Sequence, residues 1–194
     1  MSNWILETAC RKIHYLNTHG YPDLFVSVNV SPKQFDRPDF LDITSNIIRR
    51  TEINPGNLKL EITETCILNA PESAITKMLE IKKRYPGLAL AIDDFGTGYS
   101  SLSYLSRLPV DSIKIDLSFV TNLSQQTNRK IVNAIINLAK SLDLKVVAEG
   151  VETKKQLEYF IDRNCEVLQG FYFSKPVDFE SLRRLLSEEA NGKQ

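Results

Sequence analysis

An α/β fold on a parallel sheet is predicted by three features of the sequence. Six short apolar runs alternate with amphipathic stretches of helical spacing. Each run carries a polar or charged residue within it or at its C-terminal end. No low-complexity segment or linker divides the 194 residues, so they read as one domain or as part of a larger one. Two architectures fit this alternation. One is an open doubly wound sheet; the other is a (β/α)₈ barrel, typically about 250 residues, of which this chain would lack roughly two β-α units.

The elements follow in order. Residues 4–16 place apolar side chains at 5, 6, 9, 13 and 16, the stripe of an amphipathic helix, and Gly20, Tyr21 and Pro22 end it. Residues 25–30 (FVSVNV) alternate as a strand does and run into Asn29-Val30-Ser31-Pro32. Residues 40–53 are helical and close at Pro55-Gly56; residues 58–63 (LKLEIT) form the next strand. Pro71 suits the first turn of a helix reaching about Tyr85, and Pro86-Gly87 turns the chain into the apolar run 89–92. Residues 100–108 read as a short helix stopped by Pro109, residues 112–116 (SIKID) as a strand, and residues 127–142 as a long helix with an apolar stripe. Residues 145–149 (KVVAE) are a strand. Thr153-x-x-Gln156 has the form of a capping box and opens a helix to about Arg163. Residues 167–173 give a last strand, and residues 178–190 a closing helix with a polar tail.

Composition excludes several functions. Hydrophobic residues make up 42% and charged residues 25% of the chain, an ordinary globular balance. The formal net charge is zero, which gives no general case for binding a nucleic-acid backbone or an anionic membrane. No apolar run approaches a membrane span, and the first residues, MSNWILETACRK, do not resemble a signal peptide. Cys10, Cys66 and Cys165 are odd in number and far apart, as reduced thiols of a cytoplasmic protein would be. With only His14 and His19, a metal site here would be built from oxygen, favouring Mg²⁺, Mn²⁺ or Ca²⁺ over Zn²⁺.

The polar residues at the strand ends carry most of the functional information. They are Asn29, Glu61, Asp93 with Asp94, Lys114 with Asp116, Glu149 and Gln169. In both architectures the ligand site lies at the C-terminal ends of parallel strands. Taken singly, each residue has a structural explanation: Glu61 paired with Lys59 or Lys114, Asp116 capping a helix from Ser118. All six strands sharing the pattern is harder to explain that way, because a buried carboxylate is costly unless neutralised. Converging oxygens with one lysine suit two divalent cations, which activate water and stabilise an in-line displacement at phosphorus. Gly96-x-Gly98, with Ser101 where a third glycine belongs, is an incomplete dinucleotide fingerprint. Asp94-Phe95-Gly96 imitates a kinase metal-binding tripeptide, without the accompanying ATP loop or catalytic loop.

Six motifs in order, Asn29-Val30-Ser31-Pro32, LEITET at 60–65, DDFGTGYSSL at 93–102, LPVDSIKID at 108–116, VVAEGVET at 146–153 and QGFYFSKP at 169–176, resemble those of the EAL domain family. The resemblance implies a TIM-type (β/α) barrel and hydrolysis of one phosphodiester of cyclic di-GMP to linear pGpG with Mg²⁺ or Mn²⁺. It implies metal ligation by Asn29, Glu61, Asp93 and Asp94, with Asp116 at a further acidic motif position. Lys114 would hold the attacking water; Glu149 and Glu152 would stand on the catalytic side. Gln169, Gly170 and Pro176 would meet substrate, with residues 173–176 near a guanine. Glu64 would brace the loop after Asp94.

Residues 4–7 resemble the helix that follows the family's signature Glu-Ala-Leu segment, and that tripeptide does not occur in the sequence. The expectation is therefore an EAL barrel with about six of eight strands, its edges at residues 25–30 and 167–173. Open edges favour a homodimer. The resemblance further implies a cytoplasmic domain with an upstream sensory or cyclase domain. The alternative function is a catalytically silent EAL remnant that binds cyclic di-GMP or a protein partner.

Overall fold

The structure is a computed structural model that describes residues 2–97 and 102–192. Helix α1 (Ser2–Thr18) leads into strand β1 (Val26–Val30), then come α2 (Pro32–Phe35), α3 (Phe40–Thr51), β2 (Leu58–Thr63), α4 (Glu64–Asn69) and α5 (Pro71–Arg84). Strand β3 (Ala89–Phe95), α6 (Leu102–Leu105), β4 (Ser112–Ile115), α7 (Leu117–Thr121), α8 (Gln126–Ser141), β5 (Lys145–Ala148), α9 (Lys154–Ile161), β6 (Val167–Leu168) and α10 (Phe179–Gly192) follow.

All six strands are parallel, and their order in the sheet is their order in the chain. A doubly wound sheet would reverse strand order at a switch point. This sheet never reverses, and it is half of a barrel. Side-chain alternation divides it into two faces. Leu58, Leu60 and Ile62 of β2, Leu90 and Ile92 of β3, and Ile113 and Ile115 of β4 are buried outward against the helices. Those helices offer matching stripes: Phe40, Thr44, Ile47, Ile48 and Thr51 on α3, and Val132, Ile135, Ile136 and Ala139 on α8. The other face looks into the lumen and is polar, with Asn29 beside Glu61 and Thr63 beside Asp93 in register.

Three regions differ from the sequence expectation. Strand β3 runs through both aspartates to Phe95, with its register to β4 shifting between Ile92 and Phe95, and Asp94 adopts φ 55°. Three short helices, α2, α4 and α7, were invisible to periodicity because one turn has no period. They are set by their caps: the Ser31–Gln34 capping box, the Thr63 hydroxyl and the Asp116 carboxylate. Strand β6 has two residues where seven were expected. After Leu168 the Gln169 N–H still donates to Ala148 O, and then the Tyr172 N–H donates to Val151 O, so the chain turns instead of extending. Phe171, Tyr172 and Phe173 are left exposed. The capping box at Thr153 is present, and helix α6 ends at Leu105, before the expected residue 108. Gly98, Ser100 and Ser101, read as part of the turn after the aspartates, lie outside the described residues.

Candidate metal and ligand site

The C-terminal ends of the strands bring the polar residues to one cavity. Asn29 comes from β1, Glu61 from β2, Asp93 and Asp94 from β3 and Lys114 from β4, with Glu149 just past β5 and Gln169 just past β6. Lys114 is the hub. Its ammonium, 3% exposed, donates to Asp93 Oδ1 at 2.8 Å, to Glu149 Oε1 at 2.6 Å and to Glu61 Oε2. Three strands thus place a carboxylate on one buried cation. Burial pulls the Lys114 pKa down, but the bonds it donates to Asp93, Glu149 and Glu61 outweigh it and hold the group above its ordinary value. Lys114 stays cationic through the neutral range.

The carboxylates outnumber it. Glu61, Asp93, Asp94 and Glu149 against one ammonium leave a formal charge of −3 in a low-dielectric site. Burial, the Asp93 charge and the Asp116 carboxyl all push the Asp94 pKa up. Burial also pushes Glu149 up, and Lys114 offsets only part of that rise. Glu61, Asp93 and Glu149 each offer an oxygen, and all three lie within 4.8 Å of one another. The amide end of Asn29 lies 2.9 Å from Asp93 Oδ2 and 3.3 Å from Glu61 Oε2. Turned with nitrogen inward it donates to both; turned with oxygen inward it gives three acceptors around one point. Excess negative charge and an all-oxygen donor set fit a hard divalent cation. Asp94 and Glu149 hold protons more tightly than ordinary carboxyls, so protons would compete with a bound metal as pH falls. Mn²⁺ affinity, measured by calorimetry, is expected to fall at least tenfold from about pH 7.5 to about pH 5; equal affinity at both would show that these carboxyls take no part.

The other sequence candidates are placed differently. Glu64 is buried and its Oε2 accepts the Gly96 N–H at 2.9 Å, which ties the start of α4 to the turn after β3. Asp116 accepts the Ser118 N–H at 2.9 Å, so it caps α7 while its carboxyl faces Asp94. Glu152 is exposed at the approach to α9, and the contacts around Lys114 do not include it. Pro176 is exposed. Gly170 sits against the backbone of Val151, an independent structural reason for a glycine. Sequence reading passed over Ser27, Ser31, Gln34 and Thr63, which also line the cavity. The signals were there: Ser27 precedes Asn29 by two on an alternating strand, and Ser31-x-x-Gln34 is a capping-box pattern.

Fold and site together define the class: a barrel-type α/β domain with an acidic, oxygen-rich centre at its C-terminal strand ends. The EAL domain profile matches residues 1–176, and the chain belongs to the EAL domain family. The chain is 37% identical over 187 residues to the cyclic di-GMP phosphodiesterase NbdA of Pseudomonas aeruginosa, covering 96% of this chain and 24% of NbdA. Among solved structures it is similar to the PaMucR phosphodiesterase in complex with c-di-GMP (TM-score 0.90, 38% identity, 93% of this chain and 72% of that one). It is similar also to the EAL domain of Mycobacterium smegmatis DcpA (TM-score 0.88, 37% identity, 97% of this chain and 84% of that one). The chain spans about a quarter of the length of the curated relatives it matches. Among the described residues, no helix is long and apolar enough to cross a membrane.

Proposed function

We propose that the chain carries the phosphodiesterase centre of a cyclic di-GMP hydrolase, converting cyclic di-GMP to linear pGpG. The observation that carries this reading is Lys114 bound by Glu61, Asp93 and Glu149 from three strands at one cavity. Asn29, Glu61, Asp93 and Asp94 would hold Mg²⁺ or Mn²⁺, with Asp116 behind Asp94. When bound, such ions lower the pKa of water and stabilise charge on the phosphoryl oxygens. In the reaction a water oxygen forms a bond to phosphorus and the bond to the 3′ oxygen breaks, so the product keeps its 5′ phosphate.

Lys114 has three N–H donors, all engaged by carboxylates. With a metal held by the same carboxylates, one of these donors would be free to orient the water. Glu149, beside Lys114 and raised by burial, would accept the water's proton. Gln169, Gly170 and Pro176 would contact the ligand. The names of the relatives support a signalling domain joined to further domains, one of them being a bifunctional diguanylate cyclase/cyclic di-GMP phosphodiesterase, and a cytoplasmic location fits the three free cysteines.

The test is chromatography of cyclic di-GMP incubated with the protein and Mn²⁺. Appearance of pGpG that EDTA abolishes is expected. Absence of turnover with Mn²⁺ at high protein concentration would sink the reading, and binding without turnover would favour the silent EAL remnant. Mn²⁺ alone is expected to raise the melting temperature, since a ligand held at a hundred times its Kd adds about 2.7 kcal/mol to the folded state. An unchanged melting curve would argue against a metal centre.

A further inference from the structure

Gln34 is held by its role in the capping box of α2 in an orientation that leaves the other end of its amide free for a second partner. Its Oε1 accepts the Ser31 N–H at 3.1 Å and the Ser31 hydroxyl at 3.0 Å. A backbone N–H must be met by an acceptor, so these bonds settle which end of the amide is oxygen. The Nε2 end is therefore turned the other way, and among the described residues it donates to no protein acceptor. Gln34 lines the same cavity as Asn29, Glu61, Asp93 and Lys114.

The capping box itself needs only the oxygen. Glutamate meets that need equally well and is the commoner partner in the motif. What glutamine adds over glutamate is a neutral pair of N–H donors. In a cavity whose floor carries four carboxylates, a fifth would repel an anionic ligand, whereas an amide offers it a hydrogen bond. Donors without an acceptor on the rim of such a site suit an oxygen of a phosphodiester.

We infer that Gln34 is a ligand-contacting, affinity-determining residue: its Nε2 donates to a phosphodiester oxygen of the bound cyclic dinucleotide while Ser31 holds its Oε1. This rests on the functional reading above, and it assigns the segment after β1 a part in holding the ligand. Ser31 is a positioning residue in the same sense, since it acts only by orienting Gln34.

The two roles of Gln34 separate by substitution. Gln34→Glu keeps the acceptor for Ser31 and loses the donor; Gln34→Ala loses both. The measurement is the calorimetric Kd for cyclic di-GMP in Ca²⁺, a hard cation that suits oxygen ligands, with chromatography to exclude turnover. Melting curves accompany each variant. Both variants are expected to weaken cyclic di-GMP at least about tenfold, as loss of a hydrogen bond to a charged group does. Gln34→Glu is expected to keep the melting temperature of the parent. Parental affinity in either variant overturns the inference, because a structural cap would leave Gln34→Glu untouched and simple charge repulsion would leave Gln34→Ala untouched. If the parent itself binds no cyclic di-GMP, the functional reading fails and this inference with it.

Discussion

Lys114→Met is expected to abolish turnover and to destabilise the metal-free protein by about 3–5 kcal/mol, the cost of removing one partner from a buried ion pair. Methionine keeps much of the length and apolar bulk of the stem, so the loss reports the ammonium. Without it, Glu61, Asp93 and Glu149 face one another within 4.8 Å with no counter-charge. Two of them are less than a tenth exposed, so water does little to relieve them. They would take up protons, and the variant's stability would then improve as pH falls, which is the reverse of ordinary acid sensitivity. Mn²⁺ should restore much of the lost stability, since a cation among the same oxygens replaces the missing charge. Turnover should stay at least a thousandfold down, because metal cannot supply the oriented donor. Denaturant unfolding in EDTA and in Mn²⁺, with the pGpG assay alongside, reads all of this. A variant as stable as the parent in EDTA would show that the cluster carries no net cost and that Lys114 does not neutralise it.

This hub explains how far the site was legible in the sequence. Period-two alternation put Asn29, Glu61, Asp93 and Lys114 on one face of their strands, and parallel pairing required that face to be shared. Those residues therefore converged as the pattern implied. Chain order alone left the choice between an open sheet and a barrel, because both arise from the same alternation of strand and helix. Only the unreversed strand order separates them. Where the chain leaves regular structure, legibility ended. Residues 167–173 look like a strand by composition, yet two of them pair and three aromatics lie exposed. Gln169 is held there by hydrogen bonds with Ala148 and Val151, and Gly170 by its close approach to the Val151 backbone, contacts that no local propensity encodes. Asp116 caps α7, as its structural reading expected, and its carboxyl faces Asp94.

The same turn supplies the second large effect. Gly170→Ala is expected to cost about 3 kcal/mol, at the upper end of ordinary single substitutions, and to weaken binding of cyclic di-GMP as well. A Cβ on residue 170 would lie 2.2 Å from the Val151 oxygen, 2.3 Å from its nitrogen and 2.7 Å from its carbonyl carbon. All three atoms are backbone, so no rotamer change relieves the clash. The two hydrogen bonds that clasp Val151, from its N–H to Gln169 O and from the Tyr172 N–H to its carbonyl, must open for the chain to move. Gln169 then shifts away from the cavity. Gly150 provides the control. It has φ 69°, and a Cβ there would meet Leu117 Cδ1 at 1.9 Å, but that is the end of a side chain 48% exposed, which can swing aside. Gly150→Ala should therefore cost about 1–2 kcal/mol, the left-handed penalty of an ordinary residue, less than Gly170→Ala. Urea unfolding of the two variants against the parent gives the ranking. If Gly170→Ala proves the milder of the two, the backbone contact with Val151 is not what fixes glycine at 170, and a direct role against the ligand becomes the better reason for it.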